Sequence, residues 1–354
     1  MNLHITAHLP SNRTPIAGQK VSFNFLKKSK NKRNKILLCI ANDFERIYEN
    51  NEFINSFYYC KIIYLNKFQR LLNHLLGFNF PVKCSARYFS NGLNVINEII
   101  STYNVNKVTL EFTSIYCYYN YIKCNFPNIK ITFVAHDISF QSMERRAINS
   151  GYFKKLFYTI ESNRLKKMEL SLFRDNLVTV LSEKDKKLLI DKGVHDKNIL
   201  VKYPILDPWL KNVSRKNIKK QTILFVGALH RPENHDSLIW FIEKIFSKLI
   251  IEYPKIKVLI VGKGAKKSLL KYKSENIIFL GFVQSLVDIF SSVDLAISPI
   301  QYGAGIKIKT LEYINAKIPT VSTEIGAEGI SNNQYLHIAN SPKTFKDAIE
   351  NLIN

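Results

Sequence analysis

The feature that most constrains this chain is a recurrence. Short apolar runs rich in Val, Ile and Thr return along it: KILLCIAN (35–42), KVTLEFTS (107–114), IKITFVAHD (129–137) and LVTVLS (177–182). By length and β-branched content each reads as a buried strand. LHITAHLP (3–10) reads as a further strand at the start. The turn-rich SNRTPIAG (11–18) follows it, then a helix over QKVSFNFLKKSK (19–30). A basic helical stretch is predicted over 153–173. EKDKKLLIDKG (183–193) is predicted as another helix, closed by Gly193. Strands alternating with helices predict an α/β domain with a mostly parallel sheet.

The pattern then restarts. KNVSRKNIKKQ (211–221) is polar and basic without an apolar period, and reads as a linker between domains of 1–210 and 222–354. ILFVGAL (223–229), IKVLIVGKG (256–264), NIIFLGF (276–282), DLAISPI (294–300) and TVST (320–323) read as strands of a second parallel sheet. Helices are predicted between them at 235–251, 285–293 and over IKIKTLEYINAK. A length of 354 residues agrees with two domains. The expected fold class is α/β, two doubly wound Rossmann-like domains facing a cleft. Ligands of such sheets bind at the carboxyl ends of the strands.

One stretch at such an end carries chemistry: YGAGIKIKTLEYINAKIPTVST (302–323). Gly303 and Gly305 let backbone approach a ligand closely. Free amides at the following helix start favour an anion. Lys309 and Glu312, spaced i, i+3, share a helix face, with Ile308 and Leu311 expected on the core-facing stripe. A cation beside a carboxylate there suits a nucleoside diphosphate, Lys on phosphate and Glu on the ribose hydroxyls. The same spacing also fits a surface helix with an ordinary i, i+3 ion pair.

Composition narrows the partners. The formal net charge is +23, with 33 Lys and Arg against 16 Asp and Glu in residues 1–215, and 18 against 12 in the remainder. A basic first half calls for an anionic partner: nucleic acid, phospholipid or a phosphorylated substrate. The alternative reading of the total is a codon bias toward Lys, Asn and Ile. Cys39, Cys60, Cys84, Cys117 and Cys124 have no paired-ligand spacing, so reduced thiols and no metal site are expected. No signal peptide or membrane span is read from the sequence, so a cytoplasmic protein is expected.

The run from ILFVGALHRPENHD through VLIVGKG, NIIFLGFV and DLAISPI to GAGIKIKTLE resembles the nucleotide-binding domain of family-4 (group 1) glycosyltransferases of the GT-B fold. The similarity spans roughly 222–352, and the order of its motifs is more specific than any one of them. In the first half, PIAG resembles the family's glycine loop, FVAHD its strand-end His, and NRLKKMELSLFRDNLVTVLSEKD its segment matching Glu169, Ser182 and Glu183. The resemblance implies retaining transfer of a sugar from a nucleotide sugar, with no cofactor and no metal, basic groups and helix ends stabilising the leaving diphosphate. It implies catalytic roles for His136, Lys309 and Glu312. It implies donor nucleotide binding by Gly18, Gly227, Arg231, Val283, Gly303, Ala304, Gly305, Lys309 and Glu312.

The match has departures. Ala304 stands eight residues before Glu312, where the family's first Glu belongs. Ala228 and Asn234 replace an Arg and a Lys after Gly227, with Arg231 between them as a substitute phosphate contact or a solvated loop cation. A glycan or lipid-linked acceptor in bacterial O-antigen (lipopolysaccharide) or capsule assembly fits the family's habit. The segments 66–80 and 152–168 mix Lys and Arg with Phe, Leu and Tyr. They suit either an anionic membrane interface or packing in the domain core. A nucleic-acid partner is not expected, since no recognition module is present. A catalytically silent nucleotide-sugar binder and a GT-B epimerase are the rival functions.

Overall fold

A computed structural model describes residues 1–14, 16–28 and 34–354. Pro15 of the PIAG stretch and positions 29 and 30 of the expected helix therefore lie outside the described residues. The chain forms two compact units, Met1–Thr14 with Gly18–Ile205 in one and Leu206–Asn354 in the other.

The first unit holds a seven-stranded sheet: β1 (Asn2–Thr6), β2 (Lys35–Asn42), β3 (Tyr59–Leu65), β4 (Lys107–Glu111), β5 (Lys130–Ala135), β6 (Leu177–Val180) and β7 (Ile199–Val201). Their spatial order is β3-β2-β1-β4-β5-β6-β7, and every pairing is parallel. Parallel strands need crossovers, so helices cover both faces and the strands are largely buried. Seven of the eight residues of β2 are buried. Topology reverses between β1 and β4, which puts the switch point beside Thr6 and Glu111.

The second unit repeats the plan with six strands: β8 (Lys219–Val226), β9 (Lys257–Val261), β10 (Ile277–Gly281), β11 (Val293–Ser298), β12 (Thr320–Ser322) and β13 (Leu336–Ile338). Their order is β10-β9-β8-β11-β12-β13, again all parallel. The switch point lies between β8 and β11. Every residue of β11 is buried.

Two expectations change. The polar stretch 211–221 does not hang free. Residues 208–212 form a 3₁₀ turn, and β8 already begins at Lys219. Arg215 donates to the carbonyls of Phe290, Val293 and Asp294 at 2.8–3.2 Å, and Asp294 accepts from Gln221 N–H at 2.9 Å. These polar residues saturate the start of the sheet, a role that leaves no apolar period. Ile308 and Leu311 are not the core stripe of their helix, Ile308–Asn315. Thr310, Glu312, Tyr313 and Ile314 are its buried residues. The Tyr313 ring packs on Phe290, and its hydroxyl accepts the Val226 N–H at 2.7 Å. Burying such a ring contributes about 2 kcal/mol, enough to set which way the helix faces. Among the described residues no helix is long and apolar enough to cross a membrane.

Candidate functional site

At the carboxyl ends of β8–β11 four loops converge in the second unit. The turn after β9 packs backbone to backbone on the turn after β8. A Cβ on Gly262 would lie 1.8 Å from the Gly227 carbonyl oxygen, and Gly262 has φ +145°. The Gly262 N–H donates to Gly281 O at 2.7 Å, joining the turn after β10. A Cβ on Gly227 would press on a side chain, the Asn234 amide, at 3.0 Å.

The loop after β11 carries Gly303 (φ +121°) and Gly305 (φ +74°). A Cβ on Gly303 would meet nothing within 4 Å, so conformation and not crowding selects glycine there. Lys307 Nζ folds back onto the loop, donating to Gly305 O at 2.6 Å and Ala304 O at 3.2 Å, with Glu328 at 3.9 Å. The helix Ile308–Asn315 follows, and its N-cap residue Lys307 makes no side-chain cap hydrogen bond. Its position is locked by Thr310, whose hydroxyl bonds Ser298 Oγ at 2.9 Å and Gly326 O at 2.8 Å.

Lys309 is the centre of this arrangement. Its ammonium lies 3.8 Å from the Phe225 ring centroid and donates to Asn234 Oδ1 at 2.8 Å. Asn234 is buried and aimed by its own amide, which donates to Ala228 O at 3.0 Å. Among the described residues no carboxylate lies within ion-pair distance of Lys309, so the ordinary i, i+3 pair with Glu312 does not form. Burial pulls the Lys309 pKa well below the usual lysine value; the positive charges of Arg231 and Lys307 add to this, and Glu233 opposes it. Enclosed, unneutralised and on an aromatic face, this amine is set to gain from an arriving anion.

The other expected residues take distinct places. Glu312 is buried on the same helix. Arg231 precedes the helix Pro232–Phe241 and is ion-paired to Glu233, with its side chain 46% exposed. Val283 is partly buried and packs against the cluster that holds Phe290. Ala304 is partly buried and presents its carbonyl to Lys307.

The first unit gathers a separate polar cluster at its own switch point. His136 Nε2 meets Glu111 Oε1 at 2.8 Å, and His4 Nε2 meets Glu111 Oε2 at 2.8 Å. The Ser22 hydroxyl donates to the same carboxylate at 2.7 Å. Burial pushes the Glu111 pKa up, but the two imidazoles outweigh it and hold the group well below the usual carboxylate range. His136 stacks on Phe112, centroids 4.0 Å apart, and its buried Nδ1 has no partner among the described residues. Gly18 lies beside it; a Cβ there would be 3.2 Å from Phe112 and 3.7 Å from His136 Nδ1. Glu111 is the residue that sequence reasoning missed. Its only signal was a carboxylate at the carboxyl end of β4. Further along, Glu169 accepts from Thr113 Oγ1 and the amides of Ser139 and Phe140, and burial raises its pKa to about 7. Ser182 caps the helix that Glu183 opens.

Two doubly wound α/β units, with a glycine loop, an enclosed lysine and an open helix end at the second switch point, define a GT-B protein. Solved structures share the fold along nearly all of the chain. Sucrose-phosphate synthase from Thermosynechococcus elongatus is 12% identical with a TM-score of 0.66, over 99% of this chain and 89% of that one. HepE from Anabaena, solved in complex with UDP and glucose, is 11% identical with a TM-score of 0.64, over 100% and 90%. Residues 220–354 match the model of the family glycosyl transferases group 1. A Klebsiella pneumoniae protein described as an uncharacterized 44.6 kDa protein in the cps region is 30% identical over 218 residues, 57% of this chain and 54% of that protein. The match thus spans about half the length of this curated relative.

Proposed function

We propose that the protein transfers a glycosyl group from a nucleoside-diphosphate sugar to a glycan or lipid-linked acceptor during assembly of a surface polysaccharide. The observation that carries this reading is Lys309: an enclosed ammonium with no carboxylate partner among the described residues, at an uncapped helix start, behind a glycine loop. An anion is the missing charge, and a diphosphate spans loop amides and ammonium together. Lys309 then stabilises the charge that develops on the leaving diphosphate. Glu312 holds the ribose, and Gly303 and Gly305 offer backbone amides. The transfer retains anomeric configuration, as the family resemblance implies, and uses no metal. His136, oriented by Glu111, meets the reacting sugar. UDP and glucose bound to HepE support a nucleotide-sugar donor, and the cps-region relative supports a capsule over other glycans.

Ala304 favours one second reading, a nucleotide-sugar binder without catalysis, because the carboxylate that the family places there is missing. A thermal-shift panel of UDP, GDP, ADP and their sugar conjugates, with and without EDTA, tests the donor site. A nucleotide at about a hundred times its Kd stabilises by ~2.7 kcal/mol. Stabilisation by one nucleoside diphosphate, unchanged by EDTA, is expected. No shift from any of them on a folded protein would refute the reading. Release of the nucleoside diphosphate from its sugar conjugate, dependent on added acceptor, separates enzyme from silent binder.

A further inference from the structure

The helix Lys67–Leu76 is inside out. Its apolar residues Phe68, Leu71, Leu72, Leu75 and Leu76 follow the spacing i, i+3, i+4, i+7, i+8, a single stripe of helical period. Such a stripe ordinarily packs on a core. Here all five side chains are exposed, four of them by 60% or more. The inward face is polar instead. Asn73 is buried and donates to Ala86 O at 3.0 Å, His74 Nδ1 meets Ser85 Oγ at 2.7 Å, and Arg70 donates to Asn42 Oδ1 at 3.1 Å.

A second stripe lies next to it. The helix Tyr152–Asp175 has no buried residue before Glu161. Over that opening part Phe153, Leu156, Phe157 and Ile160 repeat the spacing i, i+3, i+4, i+7, and all are exposed, Phe153 by 85%. The two stripes are tied together where the buried part of the long helix begins. Glu161 accepts the Val82 N–H at 2.6 Å, and Arg164 donates to the carbonyls of Phe78 and Phe80 at 2.6 and 2.5 Å. Phe78 and Val82, themselves exposed, bridge the gap. Scattered surface apolar residues are ordinary, but two joined stripes of helical period mark a surface that something covers.

The charge chooses the occupant. Segments 66–80 and 149–160 contain Lys67, Arg70, Lys154 and Lys155 and no acidic residue. A second copy docked symmetrically would bring like charges together. Aromatic and aliphatic stripes flanked by lysines suit the boundary of an anionic bilayer, with side chains among the acyl chains and ammonium groups at the phosphates. From this we infer that the face formed by helix Lys67–Leu76 and the opening turns of helix Tyr152–Asp175 docks on an anionic lipid surface. The inference rests on residues of the first unit alone and stands whether or not the donor site binds a nucleotide.

Co-sedimentation of the full chain with vesicles of phosphatidylcholine alone, or mixed with phosphatidylglycerol, tests it. The wild type should bind the mixed vesicles, more weakly as salt rises, and bind poorly to phosphatidylcholine. L71S/L75S and F153S/F157S change exposed side chains, so Tm should hold while partition falls at least about tenfold. K154Q/K155Q should lower binding to the mixed vesicles about thirtyfold, roughly fivefold per cation. A wild type that stays in the supernatant with phosphatidylglycerol vesicles at low salt overturns the inference. So does a lipid-free dimer in sedimentation velocity that L71S/L75S dissociates, which would make the face a contact between copies.

Discussion

Replacing Lys309 by Met separates a phosphate-binding lysine from a structural one. Met keeps length and apolar contact with Phe225 while removing the charge. A hydrogen bond to a charged group contributes ~1.5–3 kcal/mol, so Kd for a nucleoside diphosphate should rise roughly 10- to 150-fold. The free protein should scarcely notice. Loss of a desolvated cation stabilises it, and the stranded Asn234 Oδ1 offsets that gain, leaving a net change below about 1 kcal/mol against the ~2–5 kcal/mol of a core truncation. The pH dependence has a definite sign. The Lys309 pKa is lowered in the fold, so between that lowered value and the ordinary lysine value the unfolded chain binds the extra proton. Wild-type stability should therefore climb with pH through that window, and K309M should climb less. A bound diphosphate restores the charged form, so binding should take up a proton there. Titration calorimetry in buffers of different ionisation enthalpy measures this directly. K309M binding the nucleotide within about twofold of wild type would refute the diphosphate cradle.

Other outcomes follow from single features of the two units. Glu312→Gln should weaken UDP at least about tenfold yet leave inorganic pyrophosphate within about twofold, because the carboxylate is assigned to the ribose; competition assays with both ligands decide it. The Glu169 pKa is raised to about 7 by burial, so the folded state holds a proton that the unfolded chain releases above its ordinary value. Stability should fall between about pH 5 and pH 8 by on the order of 3 kcal/mol at most, and Glu169→Gln should remove that slope in urea titrations. Gly303→Ala meets open space and should cost only the ~1–3 kcal/mol of its positive φ. Gly262→Ala would drive a Cβ to 1.8 Å from Gly227 O and should exceed ~4 kcal/mol, read as Tm of the two variants side by side.

The central strands were legible because a parallel sheet buries them on both faces, and continuous apolar runs such as KILLCIAN leave no alternative. The edge strands β3, β7 and β13 were not read. YCKIIYL is half-buried along nearly its whole length, and ILV and LHI are too short to carry a period. The glycine loop with Lys309 and Glu312 was legible because its residues are neighbours in the chain. Partners far apart in sequence were not. Asn234 holds Lys309 from 75 positions away, and His4 reaches Glu111 across 107. Those meetings exist only once β8 lies beside β11, and β1 beside β4, in register. Helix 67–76 divides the two levels most plainly. The sequence by itself determined its apolar stripe, since spacing fixes which side chains share a face. Only the tertiary structure decided that the stripe points outward, because Asn73, His74 and Arg70 found their hydrogen bonds on the protein side.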